Sequence, residues 1–221
     1  PLVSCGNFPF YVGHHKTMID AVQHYIPASE VVMHCGISGG SYNSTTQKMT
    51  CDGTPTASYN ATSVAAAAML AAAADRVVLV VGNGLGLAAE GHDATNISFP
   101  DGQSRLIEAV AAAAKLPVVV VTMTASALDI SAILQNTNVG AVLHAGEPAD
   151  SSLGVADCIF GARVPAGRMI QTVYPPDWQD SISILDMGMR PGQSDYPRPD
   201  CVNTAKNKQN ETSCPNATNP G

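Results

Sequence analysis

Three short apolar runs, separated by helix-length segments, constrain the fold of this chain more than any other feature. The runs cover residues 76–82, 116–123 and 139–144, and valine is the main residue in them. Unbroken apolar runs of this length are typical of strands buried on both faces. The segments between them, 102–114 and 128–135, carry apolar residues at helical spacing. Strands that alternate with helices predict right-handed crossovers and a mostly parallel sheet.

Weaker signals extend this α/β pattern toward both ends of the domain. Segments 30–35 and 169–174 predict two further strands, and segments 17–25, 63–74 and 152–160 have the composition of helices. We therefore expect a mostly parallel sheet of five or six strands with helices on both faces. This arrangement is a three-layer α/β sandwich.

The chain changes character near residue 192. Residues 1–192 form the predicted α/β sandwich domain, whereas residues 193–221 are polar, rich in proline and without periodicity. The second segment therefore predicts an irregular, extended tail. Two cysteines, Cys201 and Cys214, bracket part of this tail and predict a disulfide bond that pins it.

The six cysteines favour disulfide bonds over a zinc site, because no Cys-x-x-Cys pair occurs. We predict a link between Cys35 and Cys51, which bracket most of a glycine-containing loop at 36–56. In the chain-entropy model, closing that loop stabilises the fold by about 3 kcal/mol. Cys5 and Cys158 stay unassigned, and the position of Cys158 on the apolar side of a helix is also typical of a buried free thiol.

Sequons for N-glycosylation are more frequent than the composition explains. The sequence has five, where chance predicts about two. The asparagines are Asn43, Asn60, Asn96, Asn210 and Asn216. Together with the cysteines, they predict a secreted or cell-surface glycoprotein whose covalent glycans add solubility.

The overall charge and composition exclude several classes of partner. The net charge is −7, and no cluster of lysine and arginine occurs, so neither nucleic acid nor an anionic membrane surface is an expected partner. The longest apolar stretch, 64–74, is too short to span a bilayer. We predict no metal site, because the histidines lack ligand spacing. We predict no cofactor either, because the glycines at 82–86 do not match a dinucleotide-binding loop.

The loop after the first apolar run, 87–93, lies where α/β sheets usually place their chemistry. It reads Leu-Ala-Ala-Glu-Gly-His-Asp, and four further segments have a distinctive order and spacing. These are Phe-Pro-Asp-Gly-Gln at 99–103, Asp-Ile-Ser at 129–131, Pro-Ala-Gly-Arg-Met at 165–169 and Asp-Met-Gly-Met-Arg-Pro-Gly at 186–192. With the apolar strands, they resemble the C-terminal α/β sandwich domain of glycoside hydrolase family 3. This family contains β-glucosidases and β-xylosidases, and the resemblance is greatest to the β-xylosidase branch.

The resemblance implies a retaining mechanism that this chain alone lacks the groups to perform. In the family, the carboxylate nucleophile belongs to a separate barrel domain, which needs about 250 residues and has no room in this chain. A glutamate in the loop after the first strand protonates the leaving oxygen. Enzymes of the β-xylosidase branch carry a Glu-Ala-Glu triplet there, and this sequence reads Ala88-Ala89-Glu90. A methyl group donates no proton, and general acid catalysis contributes about 10²–10⁴-fold.

Three other residues at family positions are candidates for a carbohydrate site or an interface: Glu90, Asp93 and His144. The first two match the family, and two interpretations stay open: they lie near a bound sugar or the barrel, or they only stabilise the loop. Glu90 is also the fallback general acid, although two residues along a loop span up to about 7 Å. His144 stands where the family often has tryptophan.

These observations predict a secreted domain derived from family 3 glycosidases that is catalytically inactive and structural. Other protein chains, or copies of the same chain, would cover its former barrel-facing surface. Two alternatives stay open. The chain is a small fragment or subunit of an active β-xylosidase or β-glucosidase with its barrel elsewhere, or it is a non-catalytic carbohydrate-binding module.

Overall fold

A computed structural model describes residues 17–37, 40–43, 48–51, 60–83, 88–124, 126–148, 151–181, 183 and 185 of the chain. The side chains of residues 40–43, 48–51, 101 and 179–181 are outside this description. The chain forms two compact units, Pro1–Val173 and Tyr174–Gly221. The predicted boundary at residue 192 stays a prediction.

Helices and strands alternate through most of the first unit. In chain order, the elements are α1 (Met18–Val22), a 3₁₀ turn (Ala28–Glu30), β1 (Gly40–Asn43), β2 (Lys48–Cys51), α2 (Ala61–Ala73), β3 (Val78–Gly82), α3 (Asp101–Ala113), β4 (Val118–Met123), α4 (Ser131–Gln135), β5 (Val139–His144), α5 (Ser152–Ile159) and, in the second unit, α6 (Pro176–Ser181). Among the described residues, no helix is both long and apolar enough to cross a membrane.

The described part of the main sheet has three parallel strands in the order β3-β4-β5. Val120 and Val121 of the central strand β4 have no exposed surface. Because neighbouring residues of a strand point to opposite faces, both faces of β4 are covered. The prediction of an α/β fold with a parallel sheet is therefore confirmed for three strands.

The largest apolar cluster lies between α2, α3 and the sheet. The helices α2 and α3 pack against each other. The predicted apolar face of α3 is buried and is formed by Leu106, Ile107, Val110 and Ala111. These side chains form one cluster with α2 and with the sheet residues of β3 and β4. The alanines of α2 have small side chains, which allow close packing of the two helices.

A tight turn at Gly36 joins the described N-terminal segment to this core. Gly36 has φ +73, and a side chain there would meet Leu106 Cδ2 at 2.6 Å. The Gly36 N–H donates to His34 Nδ1 at 3.0 Å, and the Ser63 hydroxyl donates to the Gly36 carbonyl at 2.7 Å. Burial lowers the pKa of His34 below its ordinary value of 6.5.

A second packed pair consists of α1 and α5. Tyr25 stacks on Phe160, with ring centroids 4.7 Å apart, and its hydroxyl donates a hydrogen bond to Asp157. Arg163 Nε lies 3.1 Å from the other carboxylate oxygen. The hydrogen bond from Tyr25 holds the pKa of Asp157 below its usual value. The same bond, together with burial, raises the pKa of Tyr25.

Two predicted strands are wrong. Residues 30–35 and 169–174 contain no strand, and the loop predicted at 36–56 contains the antiparallel hairpin of β1 and β2. The reason is burial: Val32 is 72% exposed and Ile170 is 89% exposed, so these apolar residues do not belong to a buried sheet. The apolar content of segments 30–35 and 169–174 did not show whether a neighbouring strand was present to pair with either segment.

Candidate functional site

The site is built where β3 ends. The Gly82 N–H donates to Gln103 Oε1 at 2.8 Å, and Gln103 Nε2 donates to the Gly82 carbonyl at 2.6 Å. We call this pair of hydrogen bonds the Gln103 clasp. The amide is buried and reaches the strand from the first turn of α3. A Cβ atom at Gly82 would lie 1.7 Å from the Met123 carbonyl oxygen, so glycine is required.

A four-residue turn follows in the loop that carries the predicted acid position. Ala89 and His92 exchange two backbone hydrogen bonds of 2.8 and 2.9 Å. Gly91 has φ +71 at the third position of the turn, a conformation that favours glycine. Glu90 is exposed at the tip of this turn, and Ala88 is half-buried just before it.

A cleft of about 510 Å³, lined by polar and apolar residues, opens beside this turn. Its volume is within the range of small-ligand sites. Exposed His92, Asp93 and Asn96 line it, and Phe99 and Leu128 form an apolar wall. Asn83, directly after β3, also lines the cleft, and its Nδ2 donates to Ser126 Oγ at 2.6 Å.

His144 lies next to a separate, smaller space. Its Nδ1 is 3.0 Å from the Thr122 hydroxyl across the β4–β5 register. The cavity beside it is about 10 Å³, which is room for about one water molecule. Phe99 and Leu128 line both spaces, whereas His144 lines only the smaller one.

The structure therefore brings together only part of the predicted site. Asp93 lines the cleft, whereas Ala88, Glu90 and His144 are not among its lining residues. The sequence analysis did not place Asn83 and Asn96 in a cleft. The sequence signal that could have indicated Asn83 is its position as a polar residue directly after a buried strand. Among the described residues, no group of three or more His, Cys, Asp or Glu side chains is placed to hold a metal ion.

The cysteines divide into two kinds where the structure describes them. Cys35 takes part in a disulfide bond. Its predicted pairing with Cys51 stays a prediction, because the side chain of Cys51 is outside the described residues. Cys158 is a free, half-buried thiol. Cys5 and the predicted tail link of Cys201 with Cys214 lie outside the described residues.

Two of the predicted glycosylation sites are exposed in the described structure. Asn60 precedes α2 and caps it, because its Oδ1 accepts the Ser63 N–H at 3.1 Å. Asn96 lies on the cleft and its Oδ1 accepts the Ser98 N–H at 2.7 Å. The side chain of Asn43, and both tail asparagines, are outside the described residues.

Known proteins with similar sequences are glycoside hydrolases. The chain is 38% identical over 123 residues to a β-xylosidase/α-L-arabinofuranosidase 2 of Medicago sativa subsp. varia. The matched region covers 55% of this chain and 16% of that protein. It is 39% identical over 141 residues to a probable exo-1,4-β-xylosidase of Aspergillus japonicus. Here the matched region covers 62% of this chain and 18% of that protein. The chain thus spans less than a fifth of the length of these relatives.

Solved structures give the same result. A family 3 exo-β-xylosidase in complex with a xylobiose aziridine probe matches with a TM-score of 0.58 and 33% identity, over 63% of this chain and 18% of that one. A β-glucosidase of Bifidobacterium adolescentis matches with a TM-score of 0.51 and 28% identity, over 62% of this chain and 20% of that one. The family description "glycosyl hydrolase family 3 C-terminal domain" matches residues 4–212. The chain therefore belongs to the glycosyl hydrolase family 3 C-terminal domain family.

Proposed function

We propose that this domain is a non-catalytic, structural part of a secreted glycoprotein related to β-xylosidases. The observation that carries this proposal is Ala88. Retaining glycoside hydrolysis needs two carboxyl groups about 5 Å apart, one of which protonates the leaving oxygen. At the loop position that resembles the family's acid, this domain presents a methyl group.

The turn after Ala88 argues against Glu90 as a replacement acid. Two backbone hydrogen bonds between Ala89 and His92 fix the turn, and Glu90 is exposed at its tip. Glu90 is not among the residues that line the cleft. Moving its carboxylate into the position of an Ala88 side chain would break both hydrogen bonds, at a cost of about 1–3 kcal/mol.

Exposed apolar side chains support an assembly role. In the segment after α5, Val164 is 86% exposed and Ile170 is 89% exposed. Such residues favour a surface that another part of the protein, another chain or a second copy covers. We therefore expect the isolated, deglycosylated domain to self-associate in sedimentation velocity. A monodisperse monomer would contradict this part of the proposal.

The leaving group of the substrate gives the sharpest test of catalysis. The natural polypeptide that contains this domain is assayed with xylobiose, whose leaving oxygen needs protonation, and with 2,4-dinitrophenyl β-xyloside, whose leaving group does not. We expect no enzyme-like turnover of xylobiose. Turnover of the dinitrophenyl substrate alone would identify a nucleophile elsewhere in the protein that acts without an acid from this domain.

Two matched variants test the fallback acid. Glu90→Gln removes the candidate proton donor, and Glu108→Gln makes the same change on the exposed side of α3. We expect both variants to behave as the unmodified protein does. Xylobiose hydrolysis at enzyme-like rates, lost in Glu90→Gln and kept in Glu108→Gln, would refute the proposal and establish the chain as part of an active glycosidase.

A second candidate function is saccharide binding without chemistry. The cleft favours it, because its volume suits a small ligand and both Asp93 and Asn96 line it. In calorimetric titration with xylobiose, Asp93→Ala would then weaken binding at least about tenfold, because the variant loses one charge-assisted hydrogen bond. The exposed Glu108→Ala variant serves as the control.

A further inference from the structure

We propose that Asn96 carries an N-glycan whose first sugars enter the cleft and compete there with free saccharides. Among the described sequons, Asn96 is the one that lines the cleft. This proposal does not depend on the residue at position 88. A domain with a glutamate there would have its cleft occupied by the glycan in the same way.

The side chain of Asn96 is already oriented by its own sequon. Asn96, Ile97 and Ser98 form the Asn-x-Ser acceptor sequence, and Asn96 is exposed. Its Oδ1 accepts the backbone N–H of Ser98 at 2.7 Å. N-glycosylation attaches the sugar to the amide nitrogen, Nδ2. The hydrogen bond through Oδ1 is therefore compatible with the attached glycan.

The backbone next to Asn96 is fixed to the rest of the domain. The Ile97 carbonyl accepts the N–H of Asp129 at 2.7 Å. Phe99, three residues after the asparagine, is 8% exposed and belongs to the main apolar cluster. The root of the glycan therefore has a defined place on the cleft wall.

A tether makes the attached glycan a strong competitor for the cleft. A ligand on a short linker has an effective concentration of about 1 mM at a neighbouring site. His92, Asp93 and Asn83 line the same space. If these groups hold a sugar with millimolar affinity, the attached glycan occupies the cleft about half of the time, and a free saccharide must compete with it.

The test uses two sequon variants of the whole chain, secreted from a eukaryotic host. Ser98→Ala removes the cleft sequon and keeps Asn96 with its hydrogen bond, because the donor is the backbone N–H of residue 98. Thr62→Ala removes the sequon of Asn60 in the same way. Thr62 is an exposed residue of α2, and neither Asn60 nor Thr62 lines the cleft. Peptide mass mapping reads the glycan on each asparagine.

Chemical labelling reads whether the cleft is covered. Diethylpyrocarbonate modifies accessible histidines, and His92 is an exposed cleft residue. Exposed His24, near the end of α1, is the internal reference. We expect Asn96 to be occupied, and His92 to react at least about twofold more slowly in the wild type and in Thr62→Ala than in Ser98→Ala, which is the factor given by half-occupancy.

Two results would overturn the proposal: an unmodified Asn96, or equal His92 labelling rates with and without its glycan. If Ser98→Ala is not secreted, removal of the whole glycan from the folded wild-type protein by a peptide N-glycosidase, which leaves aspartate at position 96, provides the comparison. Neither readout involves hydrolysis, so failure here is distinct from failure of the catalytic proposal.

Discussion

Alanine at position 82 is the substitution whose effect on stability the structure predicts best. The added Cβ would lie 1.7 Å from the Met123 carbonyl oxygen, where real Cβ contacts do not fall below 3.0 Å. The obstacle is backbone of the paired strand β4, so no side-chain rotation relieves it. The ends of β3 and β4 would have to separate by at least about 1.3 Å.

That separation would disrupt the β3–β4 pairing where Gly82 lies opposite Met123. A hydrogen bond lengthened by more than 1 Å is lost. A shift of Gly82 away from β4 would also displace it from the Gln103 amide, which it contacts through two buried bonds of 2.8 and 2.6 Å. Each buried group left without a partner costs about 1–3 kcal/mol. We therefore expect Gly82→Ala to lower the free energy of unfolding by about 3–5 kcal/mol, a large part of the stability of an ordinary domain.

Urea denaturation followed by far-ultraviolet circular dichroism measures this loss. Gly154→Ala is the matched control, because a Cβ atom there meets nothing within 4 Å inside α5. The control should be neutral or more stable by up to about 1 kcal/mol, since alanine favours a helix over glycine. A Gly82→Ala protein within about 1 kcal/mol of the wild type would refute the steric argument.

Three further predictions concern side chains that take part in hydrogen bonds. Gln103→Leu leaves the Gly82 N–H and carbonyl buried without their partner, and urea denaturation should show a loss of about 2–4 kcal/mol. The lowered pKa of His34 contributes stability that is present above pH 6.5 and lost below it. The variant His34→Asn keeps a hydrogen-bond acceptor but does not titrate, so its melting temperature should fall less steeply from pH 7 to 5 than that of the wild type. Equal slopes in the two proteins would contradict this. The depressed pKa of Asp157 contributes stability that is lost as pH falls below 3.8, and the raised pKa of Tyr25 contributes stability that is lost as pH rises above 10. Tyr25→Phe should weaken both effects in a melting-temperature profile across pH, and an unchanged profile would show that this hydrogen bond does not contribute.

The sequence predicted the fold best where apolar pattern and burial coincide. The strand at 139–144 has the predicted bounds, and β4 begins two residues later than predicted. Helix α3, at 101–113, buries the apolar face that its spacing indicated. At 30–35 and 169–174 the same kind of pattern failed, because burial of these residues depends on distant parts of the chain that local composition does not describe.

The candidate site was predictable only in part, for a similar reason. The strand and the loop sequence placed Asp93 near the carboxyl end of β3. The convergence of Asn83 and Asn96 depends on how residues 94–100 pass across that end toward α3, and on the hydrogen bond between Ile97 and Asp129. No local pattern encodes a contact between residues that far apart.

The Gln103 clasp has a consequence for how such a domain evolves. It ends β3 through a side chain of α3, and the turn at 89–92 closes through its own backbone. Among the described residues, the hydrogen bonds of this clasp and of this turn do not involve the side chain at position 88. Selection for these hydrogen bonds does not act on that side chain, whereas selection for activity would preserve a glutamate there. Once that second pressure ends, the residue is free to drift while the architecture persists.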